Sequence, residues 1–338
     1  MRVPRHFMQS IGVAISLSLL SFSATAADTI KVGLLRLTSH SPSIIADGLG
    51  YFEKQGLKVE FVVFQAAQPM AVAIASGDVD FGVTAMSASL LNLAQKDVVR
   101  VIGGALTESK GITGQKILVS KAAYDAGVTT PAKLKGRTFG VTTAGSSFHY
   151  MAHKIADKEG FDRSEIKIKP LQKVPAVIAA LKSGQIDAWS IVPNIAAALT
   201  KGGQVVEIGS INDYIDDYQV TVVFTSKTIA TTKQSLVKRF LTAFEEGVAT
   251  YNAALVQQSL PAKETDAIVE MIHKYVYSNQ PIDKAGPRIK AGAMLVSPNG
   301  ALTLSSLADQ LAWFQSEGMI PKELTIEQVV DSRFVPTK

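Results

Sequence analysis

The stretch AIASGDVDFGVTAMSASLL, residues 73–91, lies over ALKSGQIDAWSIVPNIAAAL, residues 180–199, with one shared skeleton. In each, a helix end leads to Ser-Gly, a polar residue, Val or Ile, and Asp. A strand-like run and a loop of small residues follow. Gly77 and Gly184 read as helix C-terminal stops, because glycine enters the left-handed region without a Cβ penalty. The offset defines an internal repeat of about 105 residues, far longer than a solenoid period. It predicts two similar α/β lobes.

The flanking sequence extends both halves. Strand-like runs at 29–35, 58–64 and 78–84 alternate with helical patterns at 41–57, stopped by Gly56, and at 68–76. The alternation recurs with strands at 136–142, 165–171 and 185–192 and helices at 146–161 and 174–183. Such alternation implies parallel β-α-β units. Between the series lie KILVSK, 116–121, and VTVVFTSK, 220–227, both β-rich and both ending in Ser-Lys. They read as two crossover strands of a hinge. The expected lobe 1 is therefore discontinuous, 28–118 and 225–338, with lobe 2 at 119–224. The tail is helical at 231–255, 265–277 and 306–320. Leu236, Phe240, Phe244, Val248 and Tyr251 form an apolar stripe expected to pack on lobe 1, after an N-cap at Thr232 with Ser235 in the first turn. The predicted fold class is α/β, two doubly wound lobes joined by two crossovers, with a helical C-terminal segment on lobe 1.

The first residues belong to export rather than to the fold. Arg2, Arg5 and His6 precede an apolar run from Ile11 to Phe22, and Ala24-Thr25-Ala26 fits a cleavage site. The expectation is a signal peptide at 1–26 and a periplasmic mature chain. No later run reaches the roughly 18 apolar residues of a membrane span, so no direct membrane insertion is expected. The 338 residues contain no cysteine, which excludes thiol catalysis, Cys-ligated zinc and a lipidated cysteine at the cleavage site. Net charge is +5, and +3 once Arg2 and Arg5 leave with the signal. That mild excess attracts small anions and falls far short of a nucleic-acid footprint.

The segment TTAGSSFHY, 142–150, admits three chemistries. A nucleophile elbow needs a second glycine after the serine, and Phe148 stands there instead. A metal site could draw on His149, His153 and Asp157 at i, i+4, i+8, with His40 in the corresponding lobe 1 loop. The zincin glutamate is missing. An anion cradle fits best. Gly145 frees the backbone, Ser146 and Ser147 add hydroxyls, and the first amides of a helix are unpaired and partly positive. The loops 37–41, 84–89 and 192–196 also follow strands and open helices, so the four are expected to converge on one cleft. Arg36 or His40 would supply charge, and Trp189 with Phe148 would wall a tail.

KVGLLRLTSHSPSIIADGLGYFEKQGLKVEFVVF, AVAIASGDVDFGVTAMSASLL and LKGRTFGVTTAGSSFHYMAHKIADKEGFD together resemble type II periplasmic solute-binding proteins of the nitrate, taurine and alkanesulfonate group, relatives of the pyrimidine-precursor binders. The resemblance covers about 30–225. It implies a monomeric, cofactor-free receptor that closes on a small organic anion and delivers it to an ABC permease with its ATPase. It implies ligand contacts at Thr38, Ser39, His40, Met86, Ser87, Ser146, Ser147, His149 and Asn194. His40 is similar to the pyrimidine branch and 145–150 to the sulfonate branch, so a pyrimidine or thiamin precursor stays open as ligand. A sensing module for a membrane receptor, a metal binder and an exported enzyme also stay open.

Overall fold

A computed structural model of the chain describes residues 27–108 and 110–336. The expected signal peptide lies outside these residues. Ten strands form two sheets: β1 Asp28–Leu35, β2 Leu57–Phe64, β3 Phe81–Ala85, β4 Val99–Gly104, β5 Lys116–Ser120, β6 Thr138–Val141, β7 Lys167–Pro170, β8 Ala188–Ile191, β9 Val205–Ser210 and β10 Thr221–Ser226. The sheet orders are β2-β1-β3-β10-β4 and β7-β6-β8-β5-β9. Position for position they are the same sheet. β1 runs parallel to β2 and β3, as β6 does to β7 and β8. β10 is antiparallel to β3 and β4, as β5 is to β8 and β9. Each antiparallel strand carries one irregularity of register, at Val223/Phe224 and at Ile117/Leu118.

The repeated motif explains itself in these sheets. Gly77 and Gly184 hold φ +83° and +72°, ending their helices as expected. The aspartate after each glycine then clamps the neighbouring strand. Asp80 Oδ2 accepts from the Lys31 amide of β1 at 2.8 Å. Asp187 Oδ2 accepts from both the amide and the hydroxyl of Thr138 at the start of β6, each at 2.7 Å. The shared Ser-Lys endings are helix caps. Ser120 Oγ accepts from the Ala123 amide and Ser226 Oγ from the Ile229 amide.

Three expectations need correction. The boundaries at 118/119 and 224/225 each fall inside a strand. β5 belongs whole to the second sheet and β10 whole to the first, so the chain crosses before these strands, through Ala105–Gln115 and Ile211–Val220. The helix expected over 41–57 is two pieces, Pro42–Gly48 and Tyr51–Lys54, broken where Gly50 turns to φ +72°. Thr232 closes a short helix, Lys227–Thr232, and the long helix starts afresh at Gln234.

The tail begins on lobe 1. The Gln234–Tyr251 helix buries its whole expected stripe, and Phe240 stacks on Phe81 of β3 with ring centroids 4.0 Å apart. A later helix, Leu304–Ser316, does more than cover lobe 1. Trp313 Nε1 lies 3.2 Å from His153 Nδ1 of lobe 2, Tyr150 bonds Asp309, and Lys154 pairs with Asp309 at 3.2 Å. The chain then returns to lobe 1, where Val330 bridges Val101 of β4. Among the described residues, no helix is long and apolar enough to cross a membrane.

Because hydrogen bonds to a charged acceptor contribute about 1.5–3 kcal/mol each, Asp187→Ala should lower the unfolding free energy by roughly 2–3 kcal/mol in urea titration. Asp80→Ala, which loses one such bond, should cost less.

Candidate functional site

The loops at the carboxyl ends of β1, β3, β6 and β8 meet where the two sheets face each other. They enclose a cavity of about 50 Å³ whose walls come from both lobes. A second compartment of about 500 Å³ opens beside it and shares Leu35, Leu37 and Val174 in its wall. The lobes touch around this space. The Ala88 amide of lobe 1 donates to Gly145 O of lobe 2 at 2.9 Å, and Asn194 Nδ2 donates to Tyr277 OH at 2.6 Å.

The cavity wall brings together Ser39, His40, Ser146 and Ser147 among the residues singled out from sequence. Ser39 and Ser146 are 2% and 3% exposed, and neither hydroxyl has a partner. A buried hydroxyl without a hydrogen bond is costly, so the fold leaves two hydrogen bonds unmade at this wall. Ser146 is the N-cap residue of the Ser147–Glu159 helix, yet its side chain makes no cap bond. That leaves its Oγ, and the unpaired first amides of the helix, open to an acceptor at the cavity.

His40 supplies no charge. Its ring is buried, the Leu35 amide approaches Nδ1 at 3.4 Å, and burial pushes its pKa down to about 4. Arg36 is exposed and lines only the outer compartment.

The remaining residues sit elsewhere. Met86 is core, and Ser87 Oγ caps the Ala88–Gln95 helix through the Leu90 amide. Trp189 is fully buried behind Phe148, with ring centroids 5.4 Å apart; Phe148 alone of the pair reaches the cavity. Thr38 and Asn194 meet at the seam between the lobes, against Gly292. A Cβ there would fall 2.6 Å from Asn194 Cγ and 2.8 Å from Thr38 Oγ1. His149 turns away from the cavity. Its Nδ1 accepts from the Gly145 amide at 3.1 Å, and its Nε2 faces His153 Nε2 at 3.0 Å. Burial, then the neighbouring His153, lowers its pKa to about 3. Among the described residues no cluster of three or more metal-ligating side chains forms.

Sequence reasoning missed Gln115, Thr84, Thr142 and Thr221, which also line the cavity. A signal existed for two of them. Phe-Gly-Val-Thr occurs at both 81–84 and 139–142, and each threonine lies within one residue of a strand's end at the site. Gln115 ends the first crossing and Thr221 opens β10, where nothing in the local pattern marks them.

Two measurements check this geometry. A histidine neutral in the fold but protonatable when unfolded makes stability rise with pH. The gain is complete above about 6.5 and is lost as pH falls toward 4 for His40 and 3 for His149. Between pH 7.5 and 5, urea unfolding should show a loss of about 2 kcal/mol for each such residue, about 1.4 kcal/mol per pH unit below 6.5, smaller in His40→Asn. Gly292→Leu should wedge the seam open. Small-angle scattering should give a larger radius of gyration, while circular dichroism stays that of the folded protein.

The chain resembles several known proteins. It is 28% identical to the taurine-binding periplasmic protein of Escherichia coli (strain K12), over 56% of each chain. It is 24% identical to a putative aliphatic sulfonates-binding protein of Bacillus subtilis (strain 168), over 90% of this chain and 86% of that one. In structure it resembles the alkanesulfonate-binding protein SsuA from Xanthomonas axonopodis pv. citri bound to MOPS, with TM-score 0.69 and 19% identity. That likeness covers 93% of this chain and 100% of the other and shows the periplasmic binding protein fold. Residues 37–254 match the NMT1/THI5-like family, and with most of its length inside that match the chain belongs to this family.

Proposed function

We propose that this protein is the substrate-binding component of an ABC importer, capturing a small organic anion, sulfonate or carboxylate, between its lobes. The observation that carries the reading is the pair of buried, unpartnered hydroxyls, Ser39 of lobe 1 and Ser146 of lobe 2, in the wall of one cavity. An acceptor-rich head group satisfies both at once and so binds the closed form better than the open one. Differential affinity of this kind is what lets a ligand drive closure. The closed form is then what a permease and its ATPase would read. The protein works as an exported monomer in the periplasm, without cofactor and without turnover. The taurine- and sulfonate-binding relatives support the anion class. A second ligand, a pyrimidine, is favoured by one observation only: His40 is neutral and lies in the same wall as Gln115, a pair suited to an uncharged heteroaromatic ring.

Thermal unfolding against alkyl and aryl sulfonates, carboxylates, nitrate and pyrimidines tests the reading. A ligand at 100-fold its Kd adds about 2.7 kcal/mol of stability. Ser146→Ala should weaken the ligand found by about 10- to 100-fold, the loss of a hydrogen bond to a charged group. It should leave the unliganded melting temperature unchanged or raised, since that hydroxyl has no partner in the fold. Unchanged affinity in a folded Ser146→Ala protein would remove the cradle.

A further inference from the structure

We infer that the ligand is an anion whose remaining body is uncharged and apolar, and that the site rejects zwitterions bearing the same head. The inference rests on the binding reading above and narrows it.

Among the described residues, no carboxylate lines either compartment, and the one charged side chain in their walls, Arg36, is cationic. An ammonium group brought between the lobes would lose its hydration and find no counter-charge. The buried carboxyl of the crossing segment, Glu108, does not reach the wall. Its Oε1 accepts from the Gln115 amide at 2.9 Å, and burial raises its pKa, favouring the neutral acid. The sizes point the same way. A cavity needs about 10–15 Å³ of this kind of space to admit one water, so the inner cavity of about 50 Å³ suits a small head group such as a sulfonate or carboxylate. The body extends into the outer compartment, whose wall is mostly apolar, Val63, Phe64, Val174, Pro175 and Ile195, with the uncharged Gln65 and with Arg36 as the polar residues. Arg36 repels an ammonium and tolerates a hydrocarbon. Taurine is such a zwitterion, so the ligand named for the relative does not transfer to these walls.

Titration calorimetry of the purified protein with matched pairs decides the matter: ethanesulfonate against taurine, butyrate against 4-aminobutyrate, and ethanesulfonate against butanesulfonate. The amino compound of each of the first two pairs should bind at least tenfold more weakly. Each added methylene should tighten Kd roughly threefold to fourfold. Taurine binding as tightly as ethanesulfonate, or affinity that does not grow with chain length, would overturn the inference and leave the receptor reading standing. Failure of every sulfonate and carboxylate to bind would overturn both.

Discussion

The chain passes between its two lobes twice, and each passage delivers a strand that runs against its neighbours. β5 enters the second sheet between β8 and β9, and β10 enters the first between β3 and β4. Both crossings are thus anchored inside a sheet rather than hung from an edge. The two crossings also pair with each other, through the Thr107–Gln219 bridge and the Glu108 amide, which donates to Tyr218 O at 2.8 Å, so the lobes are joined by a double connection. The same crossings carry Leu106, Gln115 and Val220 into the cavity wall, and Thr221 follows at the start of β10. The connection between the lobes and the cavity thus share residues.

Two hydroxyls at the cavity go unmatched within the fold. Ser39 and Ser146 each bury a hydroxyl without a partner, a cost of about 1–3 kcal/mol apiece. Separating the lobes would return both to water, so the proposed ligand would favour the lobes' approach by supplying the acceptors they lack. Among the described residues the inner wall carries no charged side chain, and His40 stays neutral there.

The fold was legible because the repeat is written in backbone chemistry. A positive-φ glycine, an aspartate clamp and a serine cap are local requirements, and they recur wherever the same turn recurs. β4 and β9 escaped because nothing local distinguishes them. VRVIGG interrupts its apolar run with Arg100, whose guanidinium folds back onto Val99 O, and VVEIGS carries Glu207. The lobe boundaries were misplaced by a few residues because a strand's sequence does not say which sheet receives it. At the site, loop chemistry marked Ser39, His40, Ser146 and Ser147. It could not separate them from Ser87, whose hydroxyl serves a helix, or from Thr38 and Asn194, which serve the seam. Those differences lie in side-chain direction, and direction depends on the partner lobe.

His149 shows how far a motif residue can drift from the role its position implies. Its Nδ1 accepts from the Gly145 amide, and its Nε2 lies 3.0 Å from His153 Nε2. His153 Nδ1 accepts from Trp313 Nε1–H at 3.2 Å and lies 3.5 Å from the Glu317 carboxylate. Glu317 is itself held by Arg163 at 2.9 Å. One line of contacts thus runs from the Gly145 amide, along one helix face, to an ion pair on the tail. A charged His149 would have no lone pair for Gly145, and its depressed pKa keeps that state away at neutral pH. The histidine shapes the cradle from behind by fixing the backbone that presents it, and the tail that returns to lobe 1 holds the far end of the same line.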